Sequence, residues 1–141
     1  MKPKPIPDPH PASLAAGQLG WTRGPLAEGL ACYHSGQFFL AHEHWEAVWL
    51  TLPQPEKDFL QALIQVAAAF HHLQRGNLAG ARSLLTRALR RLRACPADFG
   101  GISLDQLCAE LHDRLQRLTA GTDPARITAP SIRLSGNGTA A

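Results

Sequence analysis

The sequence lacks the features that mark several classes of protein. Its three cysteines, Cys32, Cys95 and Cys108, form no CxxC or CxxH pattern, which disfavours a zinc cluster or a disulfide scaffold and indicates free thiols in a reducing compartment. No apolar run is long enough for a transmembrane helix, and the start, MKPKPIPDPHP, is too rich in proline for the apolar part of a signal peptide. We therefore expect a cytoplasmic protein with no membrane partner.

Charge of one sign is also missing from part of the chain. The net charge of +3 is mild, but no acidic residue lies between Asp58 and Asp98, a span that contains several arginines. Four of them define the arginine ridge of the fourth predicted helix: Arg82, Arg87, Arg90 and Arg91. The ridge could bind a polyanion or an acidic protein surface. We favour a solvated helix face and do not expect a nucleic-acid partner, because no aromatic residues interleave the arginines.

Proline and glycine divide the 141 residues into an arm, a domain and a tail. Residues 1–20 carry five prolines and are predicted to be a flexible arm. Residues 21–119 predict a single helical domain, and residues 120–141 an extended or disordered tail whose segment 127–134 could lie against the bundle. The predicted helices span residues 25–35, 36–50, 56–75 and 78–94, with a fifth that begins at a capping box of Ser103 and Gln106.

An internal repeat suggests how the helices pair. At a constant offset of 40, one set of residues corresponds to another: Gly36, Phe38, Ala41, Trp45 and Val48 to Gly76, Leu78, Ala81, Leu85 and Ala88. The pattern resembles the helical hairpins of tetratricopeptide repeats, although two hairpins fall short of the three or so repeats that a solenoid needs. We predict an all-α fold, a five-helix bundle built from two antiparallel hairpins and a capping C-terminal helix.

The most unusual stretch is GQFFLAHEHWEAVWL, residues 36–50. At about 100° per residue, its apolar arc faces the core. The arc comprises Phe38, Ala41, Trp45, Val48, Trp49 and Leu52, with Phe39 and Leu50 on one flank. His42 and Glu46, one turn apart, fall inside the arc, whereas Glu43 lies at its edge and His44 points away. Polar groups on a core-facing side need partners.

The third predicted helix can supply those partners. In an antiparallel hairpin counted out from Gln54, His42 is nearly level with Gln65, and Glu46 with Gln61. The sequence therefore predicts one buried polar cluster. Its members are His42, Glu46, Gln61, Gln65 and His72, with Glu28 and Tyr33 as further outer candidates.

Two functions are compatible with such a cluster. The leading interpretation is a binding or scaffold-type module, with a protein partner or a second copy of the chain, in which the cluster fixes the helix register. The alternative is a metal-dependent, hydrolase-like enzyme that holds a divalent ion through His42 and Glu46, with His72 or Glu28 as third ligand. In that case Glu43 or Glu46 is the candidate catalytic acid or base. HEHWE is not the HExxH motif, because Glu46 occupies the position of the second histidine.

The segments GQFFLAHEHWEAVW and FLQALIQVAAAFHHLQRGNLAGA together resemble a bacterial and archaeal family, domain of unknown function 309. Its members share an AHExxExxW segment, a QGLIQ-like helix, a histidine and an RGN turn, and the likeness spans residues 26–92. The resemblance implies a small all-helical fold and no particular activity. The matching positions are His42, Glu43, Glu46, Trp49, Gln61, Leu63, Ile64, Gln65, His72, Gly76 and Asn77. Ala62 replaces a glycine of the pattern, which would narrow any gap between helices there.

Overall fold

Five α-helices make up the part of the chain that this computed structural model describes, residues 19–135. They are α1 (Pro25–His34), α2 (Phe38–Trp49), α3 (Glu56–Gln74), α4 (Leu78–Arg93) and α5 (Leu104–Thr119). The predicted all-α fold is confirmed. Almost all of the predicted arm, and the last six residues of the tail, lie outside the described residues. Within that described range, no helix has both the length and the apolarity that crossing a bilayer requires.

Consecutive helices pack against one another, α1 on α2, α2 on α3, α3 on α4 and α4 on α5. The turns that end α1 and α3 contain Gly36 and Gly76, whose φ angles of 83° and 80° strain any residue with a side chain. Twelve residues of α3 are buried, in keeping with its apolar sequence on nearly all sides. The third helix is therefore the centre of the bundle, and α2 is held between α1 and α3.

Trp45 anchors the first hairpin in the core. Its side chain is fully buried, lies 6.1 Å from the Tyr33 ring and meets Trp21 edge-on at 6.2 Å. Its indole N–H donates to the carbonyl of Leu26 at 3.1 Å. The indole fits because α1 has Gly29 at the contact, where a Cβ would overlap the ring. A buried glycine in α1 thus lets the two helices of the hairpin approach closely.

The C-terminal segment, residues 127–134, runs in extended conformation over α1 and α5. Ile127 and Ile132 are buried. The Tyr33 hydroxyl donates to the carbonyl of Pro130 at 2.7 Å, and the Arg114 side chain donates to a backbone carbonyl of the segment at 2.8 Å. Burial raises the pKa of Tyr33, so it remains a neutral donor. The segment closes the bundle between its first and last helices.

His34 also holds this segment. The backbone N–H of Ile132 donates to His34 Nε2 at 3.1 Å, and desolvation lowers the pKa of His34. An acceptor nitrogen carries no proton, so this contact requires the neutral imidazole.

The predicted capping box at the start of α5 is wrong. Ser103 is the N-cap residue, but its side chain makes no capping hydrogen bond. Its N–H instead donates to the carbonyl of Arg133 at 2.8 Å, and its hydroxyl lies 3.5 Å from the carbonyl of Leu134. These contacts arise because the C-terminal segment pairs here in an antiparallel bridge between Ile102 and Leu134. Pairing with a segment distant in sequence therefore replaces the local cap.

The two ends of the described chain meet beside Gly100 and Gly101. The Trp21 indole N–H donates to the carbonyl of Gly100 at 2.6 Å, and the N–H of Ser135 donates to the carbonyl of Gly101 at 2.9 Å. A Cβ placed on Gly101 would lie 3.7 Å from the carbonyl oxygen of Leu19. Residues from both ends of the described range therefore pack on one turn before α5.

Candidate functional site

Fewer residues of α2 are buried than the sequence predicted. Phe38, Ala41 and Trp45 are buried, as expected, but the Glu46 side chain is 53% exposed. The prediction that Glu46 is buried is therefore wrong. Glu46 lies about 110° around the helix from the centre of the buried arc, at about 100° per residue, and neither neighbouring helix covers that angle. Its carboxylate faces solvent.

His42 and Glu46 nevertheless form the predicted pair. Their Nε2 and Oε2 atoms lie 3.6 Å apart, and the His42 side chain is 24% exposed. The imidazole stacks on the Phe39 ring at 5.6 Å between centroids. The two residues are one helical turn apart on α2, and their contact lies at the solvent edge of the α2–α3 interface. It is not the centre of a buried network.

Buried polar atoms do collect along the α2–α3 interface. Within residues 19–135, three of them have no hydrogen-bond partner: His42 Nδ1, Trp49 Nε1 and Gln65 Oε1. Gln65 is only 8% exposed, as its position on α3 predicted, whereas Gln61 is half-buried. In this part of the chain no hydrogen bond joins either glutamine to His42 or Glu46, so the cluster does not close on itself. Burying a polar atom without a partner costs free energy.

His72 belongs to a turn and not to the His42 pair. Gly80 N–H donates to Asn77 Oδ1 at 3.0 Å, which orients the amide, so Asn77 Nδ2 donates to His72 Nδ1 at 3.0 Å. Asn77 is the N-cap of α4, and its N–H donates to the His72 carbonyl at 2.8 Å. The histidine and the RGN turn thus act together in joining α3 to α4.

Replacing Asn77 with alanine removes both the cap and the bond to His72. We expect Asn77→Ala to lower the free energy of unfolding by about 1–2 kcal/mol, measured by urea denaturation. Asn77→Asp keeps the capping oxygen and loses only the donor to His72, so it is expected to cost less than alanine. Equal losses for the two variants would contradict a cap at this position.

The candidate metal ligands are not brought together. Phe39 and His71 lie between His42 and His72, with ring centroids 5.3 Å apart for Phe39 and His71 and 6.1 Å apart for His71 and His72. Across residues 19–135, no group of three or more His, Cys, Asp or Glu side chains could hold a metal ion. Desolvation and the charges of Arg75, His72 and His42 lower the pKa of His71, which favours the neutral form of that side chain.

Glu28, the other candidate third ligand, contacts a different histidine. Its Oε1 lies 3.6 Å from His44 Nδ1, which joins α1 to α2 on the far side of the hairpin from His42. The sequence predicted that His44 points away from the core, and its side chain, 37% exposed, does so beside Glu28. Glu28 and His44 are separated from Gly36 by the same number of residues. This spacing could have predicted that they lie level with each other in the hairpin.

The solvent side of α2 carries an unusual mixture of residues. The exposed large apolar side chains are Phe39 at 50%, Leu40 at 44% and Leu50 at 67% exposure, and Glu43, Glu46 and Ala47 are exposed beside them. At about 100° per residue, all six fall within an arc of about 120°. We define the outer face of α2 as Phe39, Leu40, Glu43, Glu46, Ala47 and Leu50.

A cleft of about 440 Å³ opens on this face, lined by Glu43, Glu46, Ala47, Trp49 and Leu50. The Lys57 ammonium lies 4.6 Å from the centroid of the Trp49 ring at its margin. Glu43 has no ion-pair partner among residues 19–135. The cleft therefore combines two carboxylates with an indole and a leucine side chain.

The four arginines of the ridge differ in exposure and in their partners. Arg82, Arg87 and Arg90 are exposed, as predicted, whereas Arg91 is half-buried and pairs with Asp58 at the start of α3. Arg91 therefore fastens α4 to α3 and is already occupied by a carboxylate.

The fold and the α2 site together define a small all-helical bundle whose second helix presents an acidic and apolar face. Residues 26–84, which run from α1 into α4, match the family described as Domain of unknown function (DUF309). An uncharacterized protein of Aquifex aeolicus (strain VF5) is 32% identical over 100 residues, which are 70% of this chain and 30% of that protein. The chain thus spans about a third of this relative's length, and the predicted family resemblance is confirmed.

Proposed function

We propose that the protein is a binding module that recognises a basic, apolar segment of a partner protein through the outer face of α2. The observation that carries the proposal is the exposure of Phe39, Leu40 and Leu50 on the same arc as two carboxylates. Single exposed leucines are ordinary, but large apolar side chains grouped on one helix face mark interaction surfaces.

The cleft supports a basic partner. A lysine or arginine stem can pack on Trp49 and Leu50 while its charged group meets Glu43 and Glu46. Arginine and aromatic residues are the usual anchors of protein interfaces. The chain as a whole carries +3, so overall charge opposes basic peptides, and binding would depend on the local acidic face.

Catalysis by Glu43 or Glu46 is not the function that this arrangement favours. The other residues that line the cleft are Ala47, Trp49 and Leu50, none of which supplies a nucleophile or an electrophilic group to work with a carboxylate. The three cysteines are free thiols of intermediate exposure, and we include a cytoplasmic location in the proposal because thiols persist in reducing compartments.

A fluorescently labelled 14-residue amphipathic peptide of leucine and lysine tests the proposal by fluorescence polarisation. We expect the peptide to bind the unaltered protein and to bind two variants about tenfold or more weakly. The double variant Glu43→Gln, Glu46→Gln removes the charge-assisted contacts, and Leu50→Ser removes an apolar anchor. The same peptide with glutamate in place of lysine is expected not to bind.

The matched control is Leu78→Ser, which changes a leucine that is 39% exposed on α4. It should bind the peptide as the unaltered protein does. The proposal is overturned by equal binding of the lysine and glutamate peptides, or by a loss for Leu78→Ser as large as that for Leu50→Ser. Thermal melts of every variant show that the bundle remains folded.

A further inference from the structure

A separate cleft of about 440 Å³ lies between α4 and α5. It is lined by Thr86, Leu89, Arg90, Arg93, His112 and Leu115. No carboxylate is among these lining residues, in contrast to the α2 cleft. The cleft is therefore basic on one side and apolar on the other.

The two arginines of this cleft, unlike Arg91, have no acidic partner within the described residues. In residues 19–135, neither Arg90 nor Arg93 forms an ion pair, and both are exposed. The carboxylate of Asp113, beside His112 in sequence, accepts from Arg114 at 3.1 Å and from Arg117 at 3.0 Å. Asp113 is thus already paired with arginines of α5 itself. Residues three apart on a helix lie side by side, so both guanidinium groups can address one ligand.

His112 adds a directed donor. Arg93 Nη2 lies 3.4 Å from His112 Nδ1, and because a guanidinium only donates, Nδ1 is the acceptor. The neutral imidazole then carries its proton on Nε2. The Thr86 hydroxyl donates to the carbonyl of Arg82 at 2.9 Å, so its proton is already used. The donors that remain are two guanidinium groups and one imidazole N–H.

We propose that this cleft binds the phosphate monoester group of an organic ligand. Guanidinium groups match phosphate oxygens with paired hydrogen bonds, and two of them with an N–H suit a dianion of three terminal oxygens better than a single carboxylate. Leu89 and Leu115 provide an apolar wall for the carbon skeleton that bears the phosphate. The site shares only Arg90 with the predicted arginine ridge, because Arg82, Arg87 and Arg91 do not line the cleft, whereas Arg93 and His112 do.

Isothermal titration with phenyl phosphate, at fixed ionic strength and pH 7.5, tests the site. We expect binding that weakens about tenfold to a hundredfold in Arg93→Gln and in Arg90→Gln. The control is Arg87→Gln, which removes an exposed arginine of the same helix outside the cleft and should change affinity less than twofold. Inorganic phosphate, which lacks the apolar group, should bind more weakly than phenyl phosphate.

Phosphate monoesters occur on soluble metabolites and on phosphatidic acid, so a second arm uses sedimentation with vesicles of phosphatidylcholine, with and without phosphatidic acid. If the protein cosediments with vesicles only when they contain phosphatidic acid and only when Arg93 is present, the ligand is a lipid. If it binds phenyl phosphate but not the vesicles, the ligand is a soluble molecule. Absence of binding in both arms overturns the proposal. An equal loss of affinity in Arg87→Gln and Arg93→Gln also overturns the proposal, because it would show that positive charge anywhere on α4 attracts the ligand.

Discussion

Trp45→Ala is expected to lower the free energy of unfolding by about 3–5 kcal/mol, the range for removing a buried aromatic side chain. The indole is fully buried, contacts the Tyr33 and Trp21 rings, and donates to the Leu26 carbonyl. Its removal leaves a cavity between α1 and α2 and takes the donor from that carbonyl. Guanidinium denaturation followed by circular dichroism measures the loss, and a change below about 1 kcal/mol would contradict the anchoring role.

Two matched variants separate the causes of this loss. Trp45→Phe keeps an aromatic ring and removes the N–H, so it should cost less than alanine. Gly29→Ala leaves the indole in place but puts a methyl group where it overlaps the ring, and overpacking of this kind costs about 1–3 kcal/mol. If Gly29→Ala is neutral or stabilising, the close approach of α1 and α2 at this point is not required.

A chain that ends at Arg126 is expected to lose most of its cooperative folding. It lacks Ile127 and Ile132, both buried, and burial of each isoleucine contributes about 1.5–3 kcal/mol. It also leaves the Tyr33 hydroxyl without its acceptor on Pro130. Because small domains are stable by only about 5–15 kcal/mol, this loss is comparable to the whole stability.

The control for this truncation ends at Ser135 and keeps every contact of the C-terminal segment described above. Its thermal midpoint should equal that of the full chain, whereas the chain ending at Arg126 should show a broad or missing transition and a poorly dispersed amide spectrum. A sharp transition at an unchanged temperature in the shorter chain would show that the segment contributes nothing to the bundle.

The helices could be predicted because their boundaries are encoded locally. Gly36 and Gly76 end helices by adopting positive φ, and the predicted and observed bounds differ by at most two residues. The sequence allowed residues 127–134 to lie against the bundle, but the spacing of Ile127 and Ile132 fits no helical or strand period and did not indicate which residues are buried. The failed cap at Ser103 has the same origin, because its competitor is a segment some 30 residues away in sequence.

The candidate site could be predicted in part. The spacing of His42 and Glu46 indicated a pair, and the apolar sequence of α3 indicated that Gln65 is buried. Periodicity places residues around an axis but does not say which angles a neighbouring helix covers. For that reason it placed Phe39 and Leu50 on the flank of the core-facing arc, although both of them, like Glu46, are exposed to solvent.

The two ends of the described range, Leu19 and Ser135, lie together at Gly101, and this arrangement bears on how the bundle can be joined to other domains. Leu19 and Ser135 lie beside the same turn. If residues 19–135 were inserted into another protein, the two positions of that protein joined to them would have to be only a short distance apart. Domains with adjacent ends are tolerated as insertions in surface loops. The bundle can thus be carried within a longer protein without separating the host's own strands or helices.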